Sequence, residues 1–500
     1  MKKSIVQNVS SVTALSVLKR ALGFLYRILL SRTLGAEGVG LYQTALSFYF
    51  VFVTLGSGGI PVTTSRLVCK HNATGAKNSS QNTLSAAFLL GLLITIPACL
   101  FVFLFGDKLT VLFSDRRAIA PTKLLFIGLC FSSLYHSLHG FFWGNKQLLL
   151  PTVLELVEEC VNVLLGVFLL TTAPSMEVGV CRAALAVAIT DVSCFLIAFV
   201  CYLAKGGKLA APNGQLKPLF SSAAPITSMR ALNSLVNSAV AVLLPAMLVK
   251  AGETYSSATS LYGVVSGMVT PVLFIPSTVI GSLAFVLVPE LSENYYKKNY
   301  KSLAQNIERG LVASLFIACL VIPFLAALGV PIGAITFSSP LAGKIIAQSC
   351  PVLIPMSVSM ISSGILNSMG FERQTFLFSS IGEGCMLLCI LFLPKVIGVY
   401  AYIVAVGVNF TICTVCSLAF LFKRYKPSKR FFSLVFVAIA SAILLSAFGK
   451  ALYKAFELTL NDFWCVFVVG GSITAVLLVV LGICLMLKKR GFLSFFLQKS

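Results

Sequence analysis

Charge is scarce in this 500-residue chain, and acid is scarcest: charged residues make up 11% of it, sixteen Asp or Glu against thirty-eight Lys or Arg. A soluble domain carries roughly a quarter charged residues, so a water-facing globular fold is excluded. No polar block is long enough to make a separate soluble domain. Sustained apolar–polar alternation is missing as well, which argues against a transmembrane β-barrel. No GxxxxGK[ST] loop occurs, so an ATP-driven engine is not expected, and GSGGIP follows no strand that would make it a dinucleotide loop. Histidine occurs three times. His136 and His139 stand three apart without a third ligand and read as structural residues near a helix end. The fifteen cysteines fall mostly inside apolar runs and act as small hydrophobes, Cys413 and Cys416 included. Neither a cofactor nor a metal is expected, and nothing points to an enzyme.

What the chain does have is hydrophobicity: 58% of residues are apolar and the mean hydropathy is +0.95. A helix crosses a bilayer with about 20 apolar residues. Counting such runs gives about fourteen, near 11–33, 39–60, 84–105, 118–142, 151–172, 179–203, 219–248 and 259–288, then 308–329, 341–368, 375–393, 397–421, 431–452 and 463–487. The fold class is an all-α polytopic membrane protein. The first twenty residues have no uninterrupted apolar core and no small-residue cleavage pattern, so they do not read as a cleavable signal.

The net charge of +22 reads as positive-inside loops rather than as a nucleic-acid surface. With the N-terminus inside, the inner segments collect Lys2, Lys3, Arg66, Lys70, Lys77, Lys205, Lys208, Lys217, Lys297, Lys298 and Lys301, the run KRYKPSKR, and Lys488, Lys489 and Arg490. The outer loops hold fewer cations, mainly Lys108, Arg116, Arg117, Lys395 and Lys450. Both termini are therefore expected in the cytoplasm.

The two halves echo one another. Leu41-Tyr42 aligns with Leu261-Tyr262, and HGFFWGNKQ with NSMGFERQ. The second span is interrupted by Gly56, Gly58, Gly59 and Pro61, and the matching span of the other half by Pro271 and Pro276. Paired interruptions of this kind point to a transport site between repeats.

One stretch, VLKRALGFLYRILLSRTLGAEGVGLYQ, reads as membrane-spanning yet holds Lys19, Arg20, Arg27 and Arg32. An arginine at a helix centre costs about 2.5–3.5 kcal/mol on insertion scales. Arg20 and Arg27 lie two turns apart on one face, so a polar cavity is expected beneath them. Arg32 can snorkel at the outer end, and Lys19 points about 100° away from Arg20. Arg66, after the broken helix, and Arg230, in the seventh span, are candidates for the same cavity, Arg66 equally for a cytoplasmic-end anchor. Acids inside spans are Glu155, Glu158, Glu159 and Glu383. Glu155 and Glu159 share a face and could pair with the arginines, hold a coupling cation (Na+ or H+), or stand at the cytoplasmic mouth. A cavity rich in arginine suits an anion, since guanidinium matches phosphate oxygens bidentately.

The run LKRALGFLYRILLSRTLGAEGVGLYQTALSFYFVFVTLGSGGIPVTTSRLV resembles the opening of the stage V sporulation protein B and polysaccharide-transporter branch of the multidrug/oligosaccharidyl-lipid/polysaccharide flippase superfamily, to which the lipid II flippases belong. GFFWGNKQLLLPTVLELVEE, PITSMRALNSLVNSAVAVLLP and YGVVSGMVTPVLFIPSTVIGSLAFVLVPELSE continue the likeness. The resemblance implies two six-helix lobes around a central cavity, here 1–204 and 205–424, with two further helices in 425–500. It implies outward movement of an undecaprenyl-linked glycan precursor by alternating access. Its first-helix arginine pattern falls on Arg20 and Arg27, the second seven residues on rather than six, and its fifth-helix acid on Glu159. The expectation is a monomeric flippase of a bacterial plasma membrane carrying a lipid-linked peptidoglycan or polysaccharide precursor, with spore cortex synthesis a specific case. The alternatives are a multidrug-extrusion-type cation antiporter of the same fold and a non-transporting scaffold for envelope synthesis.

Overall fold

The computed structural model describes residues 2–74, 77–106, 108, 113, 115–457 and 461–488. Lys489 and Arg490, counted above toward the inner charge, lie outside these. The described residues are overwhelmingly helical and contain no strand. They divide into two compact units, 1–267 and 268–500.

The first unit holds α1 (Lys2–Ser57), α2 (Ile60–Ala73), α3 (Lys77–Phe105), α4 (Ile119–Gly144), α5 (Leu149–Thr171), α6 (Met176–Ala204), α7 (Leu216–Lys250) and α8 (Tyr255–Gly263). The continuous stretch Ala14–Ala73 is 60 residues long. At 1.5 Å per residue that is about 90 Å, three bilayer cores, so it cannot be one crossing. The chain turns inside α1 at Gly35, whose φ of 66° and ψ of −177° suit only glycine. It breaks again at Gly58-Gly59, between the end of α1 and the start of α2, where Pro61 occupies the first turn.

The core of this unit is the inner face of α1, where Tyr26, Leu30, Tyr42, Ala45 and Tyr49 pack with Leu125, Phe126, Leu129 and Ala183 of α4 and α6. Small residues let the helices close on one another. A Cβ on Gly128 would stand 2.9 Å from the Ala188 Cα, and one on Gly140 2.6 Å from the Pro61 Cα. Pro61 is therefore wedged under α4. The outward faces are apolar, with Leu164 70% and Phe168 67% exposed on α5, as a lipid-facing surface requires.

A π-helical turn (Val264–Val269) runs across the boundary at 267/268, and the second unit then holds α9 (Thr270–Leu273), α10 (Ile275–Tyr296), α11 (Tyr300–Phe337), α12 (Pro340–Ser349), α13 (Leu353–Ser368), α14 (Glu372–Phe392), α15 (Pro394–Ile397), α16 (Tyr400–Arg424), α17 (Lys429–Phe456) and α18 (Asp462–Lys488). The interruption expected from Pro271 and Pro276 lies at Phe274, between α9 and α10, each proline taking a first-turn position. The long α11 is the axis of the unit. Ile307 and Leu311 bury against Ile361 and Ile365 of α13, and Leu421 and Phe431 complete the cluster. The Glu308 carboxylate, 7% exposed, accepts from the Ser428 backbone N–H at 2.6 Å and its hydroxyl at 2.8 Å, which fixes the start of α17.

Eleven stretches among the described residues are long and apolar enough to cross a membrane. Counting Ala14–Ala73 as two, and adding α5 (as long as a crossing but holding three glutamates) and α18, the helices accommodate the fourteen crossings read from hydropathy.

Candidate functional site

The first-helix cations meet α5. Lys19 Nζ stands 3.3 Å from Glu155 Oε2, with the two side chains 31% and 34% exposed. Lys19 thus has a partner of its own on α5. At 100° per residue Gly23 lies between Lys19 and Arg27 around the helix, and Arg20 lies just beyond Arg27. The four share one sector about 100° wide, with Lys19 on its α5 edge. Glu155 thus pairs with the lysine rather than with an arginine.

Glu159 occupies the middle of that sector. A Cβ on Gly23 would stand 2.9 Å from Glu159 Oε1 and 3.4 Å from its Cδ, so the carboxylate rests directly on the glycine. Gly23 follows Arg20 by three residues and precedes Arg27 by four, one turn from each. Glu159 couples electrostatically to Lys19, Glu158 and Arg27. It is ten residues into α5, about 15 Å along the axis and half the thickness of a bilayer core. Arg27 is eight residues, about 12 Å, from the Gly35 turn. Both arginines are exposed and all three glutamates half-buried.

Behind Glu155 stands an aromatic wall from α4. His139, 3% exposed, places Nδ1 3.9 Å from Glu155 Oε1, and its ring lies 4.3 Å from that of Tyr135 and 6.1 Å from that of Trp143. The histidine read as structural is therefore a neighbour of the charged face, while the His136 Nδ1 is occupied at 2.7 Å by the Ser132 carbonyl oxygen.

Arg230 has a different partner. Its Nη1 donates to the Gly58 carbonyl oxygen at 2.7 Å, at the point where α1 stops and its last carbonyls lack helical partners. One turn to either side, Thr227 Oγ1 accepts from the Gly59 N–H at 3.0 Å and Ser234 Oγ meets Thr54 Oγ1 at 2.8 Å. One face of α7 thus clasps the helix break. Arg66 is exposed on α2, with no hydrogen bond or ion pair to other described residues. Arg32 is exposed near the turn at Gly35.

Asp191 was overlooked among the intramembrane acids. It lies mid-helix in α6, 7% exposed, and its Oδ2 accepts from the Tyr49 hydroxyl at 2.6 Å. Its position inside the 179–203 run was the available signal, since an acid at that depth needs a partner.

Residues 5–295 match the profile of the family described as "Polysaccharide biosynthesis protein". The chain is 26% identical over 322 residues to stage V sporulation protein B of Bacillus subtilis (strain 168), a match covering 62% of each chain; it thus spans less than two thirds of that relative. It is 22% identical over 430 residues to the lipid II flippase MurJ of the same organism, covering 79% of this chain and 78% of that one. Among solved structures, a lipid II flippase MurJ in an inward closed conformation superposes with a TM-score of 0.74 at 15% identity, over 95% of this chain and 99% of the other. An inward-facing multidrug resistance MATE family transporter of the MOP superfamily gives 0.65 at 16% identity, over 83% and 95%. At such identities the likeness is one of fold. The resemblance read from the opening motif is borne out, as is the all-helical polytopic class.

Proposed function

Because the chain belongs to the polysaccharide biosynthesis protein family, we propose that it is a flippase that moves an undecaprenyl-linked peptidoglycan or polysaccharide precursor across a bacterial plasma membrane. The observation that carries this reading is the face formed by Arg20, Gly23 and Arg27: two exposed guanidinium groups one turn either side of a residue with no side chain, at membrane depth. Guanidinium forks match phosphate oxygens and keep their charge away from water. In this mechanism Arg20 and Arg27 take the pyrophosphate, with Arg66 and Arg230 further along its path. The interruptions at Gly58-Gly59-Pro61 and at Pro271 and Pro276 supply the hinges for alternating access, and the C-terminal helices guide the polyprenyl tail. Both termini face the cytoplasm, the unit of function is a monomer, and spore cortex synthesis is the specific setting, a reading supported by the likeness to a stage V sporulation protein. One elementary charge moved through 100 mV is worth about 2.3 kcal/mol, so membrane potential can reset the cationic face.

A second reading is a multidrug-extrusion-type cation antiporter, in which Glu155 and Glu159 hold Na+ or H+. The observation favouring it is the cluster of three α5 glutamates beside the arginines. Expression in cells depleted of their own lipid II flippase separates the two. Restored growth and outward lipid II exposure, lost in Arg20→Ala, supports the flippase. Absence of rescue together with proton- or sodium-driven dye export supports the antiporter.

A further inference from the structure

We propose that Glu159 is a built-in competitor for the phosphate group at the first-helix arginines and sets how tightly, and with what preference for charge, that face holds an anion. The inference rests on the reading of this face as an anion site.

Three observations carry it. The Glu159 carboxylate rests on Gly23, one turn from each arginine along α1, and couples to Arg27, so it stands beside the place a phosphate held by Arg27 would take. Neither Glu159 nor Arg27 makes a hydrogen bond or an ion pair with another described residue, whereas Glu155 is closed against Lys19. Third, Glu155, Glu158 and Glu159 offset Lys19, Arg20 and Arg27, so the excess positive charge along the proposed path is that of Arg66 and Arg230.

The surroundings leave Glu159 as the carboxylate that an incoming anion meets. From α1, Lys19, Tyr26, Arg27 and Tyr42 couple to it. On its own helix Glu158 couples to it as well. His139 of α4 faces Glu155, and Tyr135 of α4 and Asp191 of α6 couple to Glu158 instead. An anion held by Arg27 therefore meets a carboxylate that couples to the same arginine, and the repulsion grows with the ligand's charge. A carrier must release its cargo, and a resident carboxylate keeps a double-arginine site from holding it too long. Gly23 is part of the device, because a side chain there would crowd the carboxylate and make it shift off the glycine.

The test is isothermal titration of the purified full chain with inorganic pyrophosphate and with inorganic phosphate. Glu159→Gln, which keeps the shape and removes the charge, is expected to tighten pyrophosphate about tenfold and phosphate by less, the gain fading at high salt. Gly23→Ala, which displaces the carboxylate without removing it, should tighten binding in the same direction. Arg27→Ala should weaken binding in wild-type and Glu159→Gln backgrounds alike. If Arg27→Ala weakens pyrophosphate while Glu159→Gln and Gly23→Ala leave it unchanged or weaker, the competitor role is wrong and the anion site stands. If pyrophosphate binds neither wild type nor variants, or binds Arg27→Ala as well as wild type, the anion reading itself fails and takes the competitor with it.

Discussion

Arg230 Nη1 donates to the Gly58 carbonyl oxygen across 2.7 Å, so a charge expected to line a cavity also holds the end of a helix. The break at Gly58-Gly59 leaves carbonyls without intrahelical donors, and a guanidinium supplies one donor together with a charge that suits a helix C-terminus.

Arg230→Ala should lower the melting temperature of the purified protein, since a charge-assisted bond at an exposed site is worth about 1 kcal/mol. Arg230→Lys should recover part of the loss. A melting curve unchanged by Arg230→Ala would show that the bond does not hold the break.

The bond between Tyr49 and Asp191 is buried and joins positions 142 apart in sequence. Tyr49→Phe leaves a buried carboxyl short of its donor, at a cost of about 1–3 kcal/mol. Lower expression and a lower melting temperature are expected for Tyr49→Phe and for Asp191→Ala. The double variant should be less damaging than the sum of the two. Strict additivity would mean that the two side chains are energetically independent.

Lys19 and Glu155 are each about one-third exposed, so water screens the pair and a coupling of about 1 kcal/mol or less is expected from a double-mutant cycle. The charge reversal Lys19→Glu with Glu155→Lys should express better than either single reversal. Equal behaviour of all three would place the pair apart in the membrane.

The parts of the structure legible in the sequence are those written locally. Apolar runs gave the helices because each span carries its own hydrophobic length. The break after Ser57 and the one at Phe274 were visible because glycine and proline act on their own backbone. Partners were hidden. Lys19 was set aside because helical angle alone put it away from Arg20, and only the docking of α5 along that edge shows that Glu155 meets it. Arg230 read as a cavity residue because its depth was known and Gly58, 172 positions away, was not known to be its acceptor. Asp191 escaped notice because Tyr49, the group that makes a buried acid tolerable there, stands on a distant helix.

The most direct measurement is transport itself: purified protein in liposomes containing an undecaprenyl-pyrophosphate-linked sugar, with its appearance in the outer leaflet followed over time. Protein-dependent flipping that collapses in Arg20→Ala and Arg27→Ala, with both variants folded and inserted, is the expected result. Flipping at wild-type rate without both arginines, or none by the wild type while it exports organic cations, would contradict the flippase mechanism at its centre.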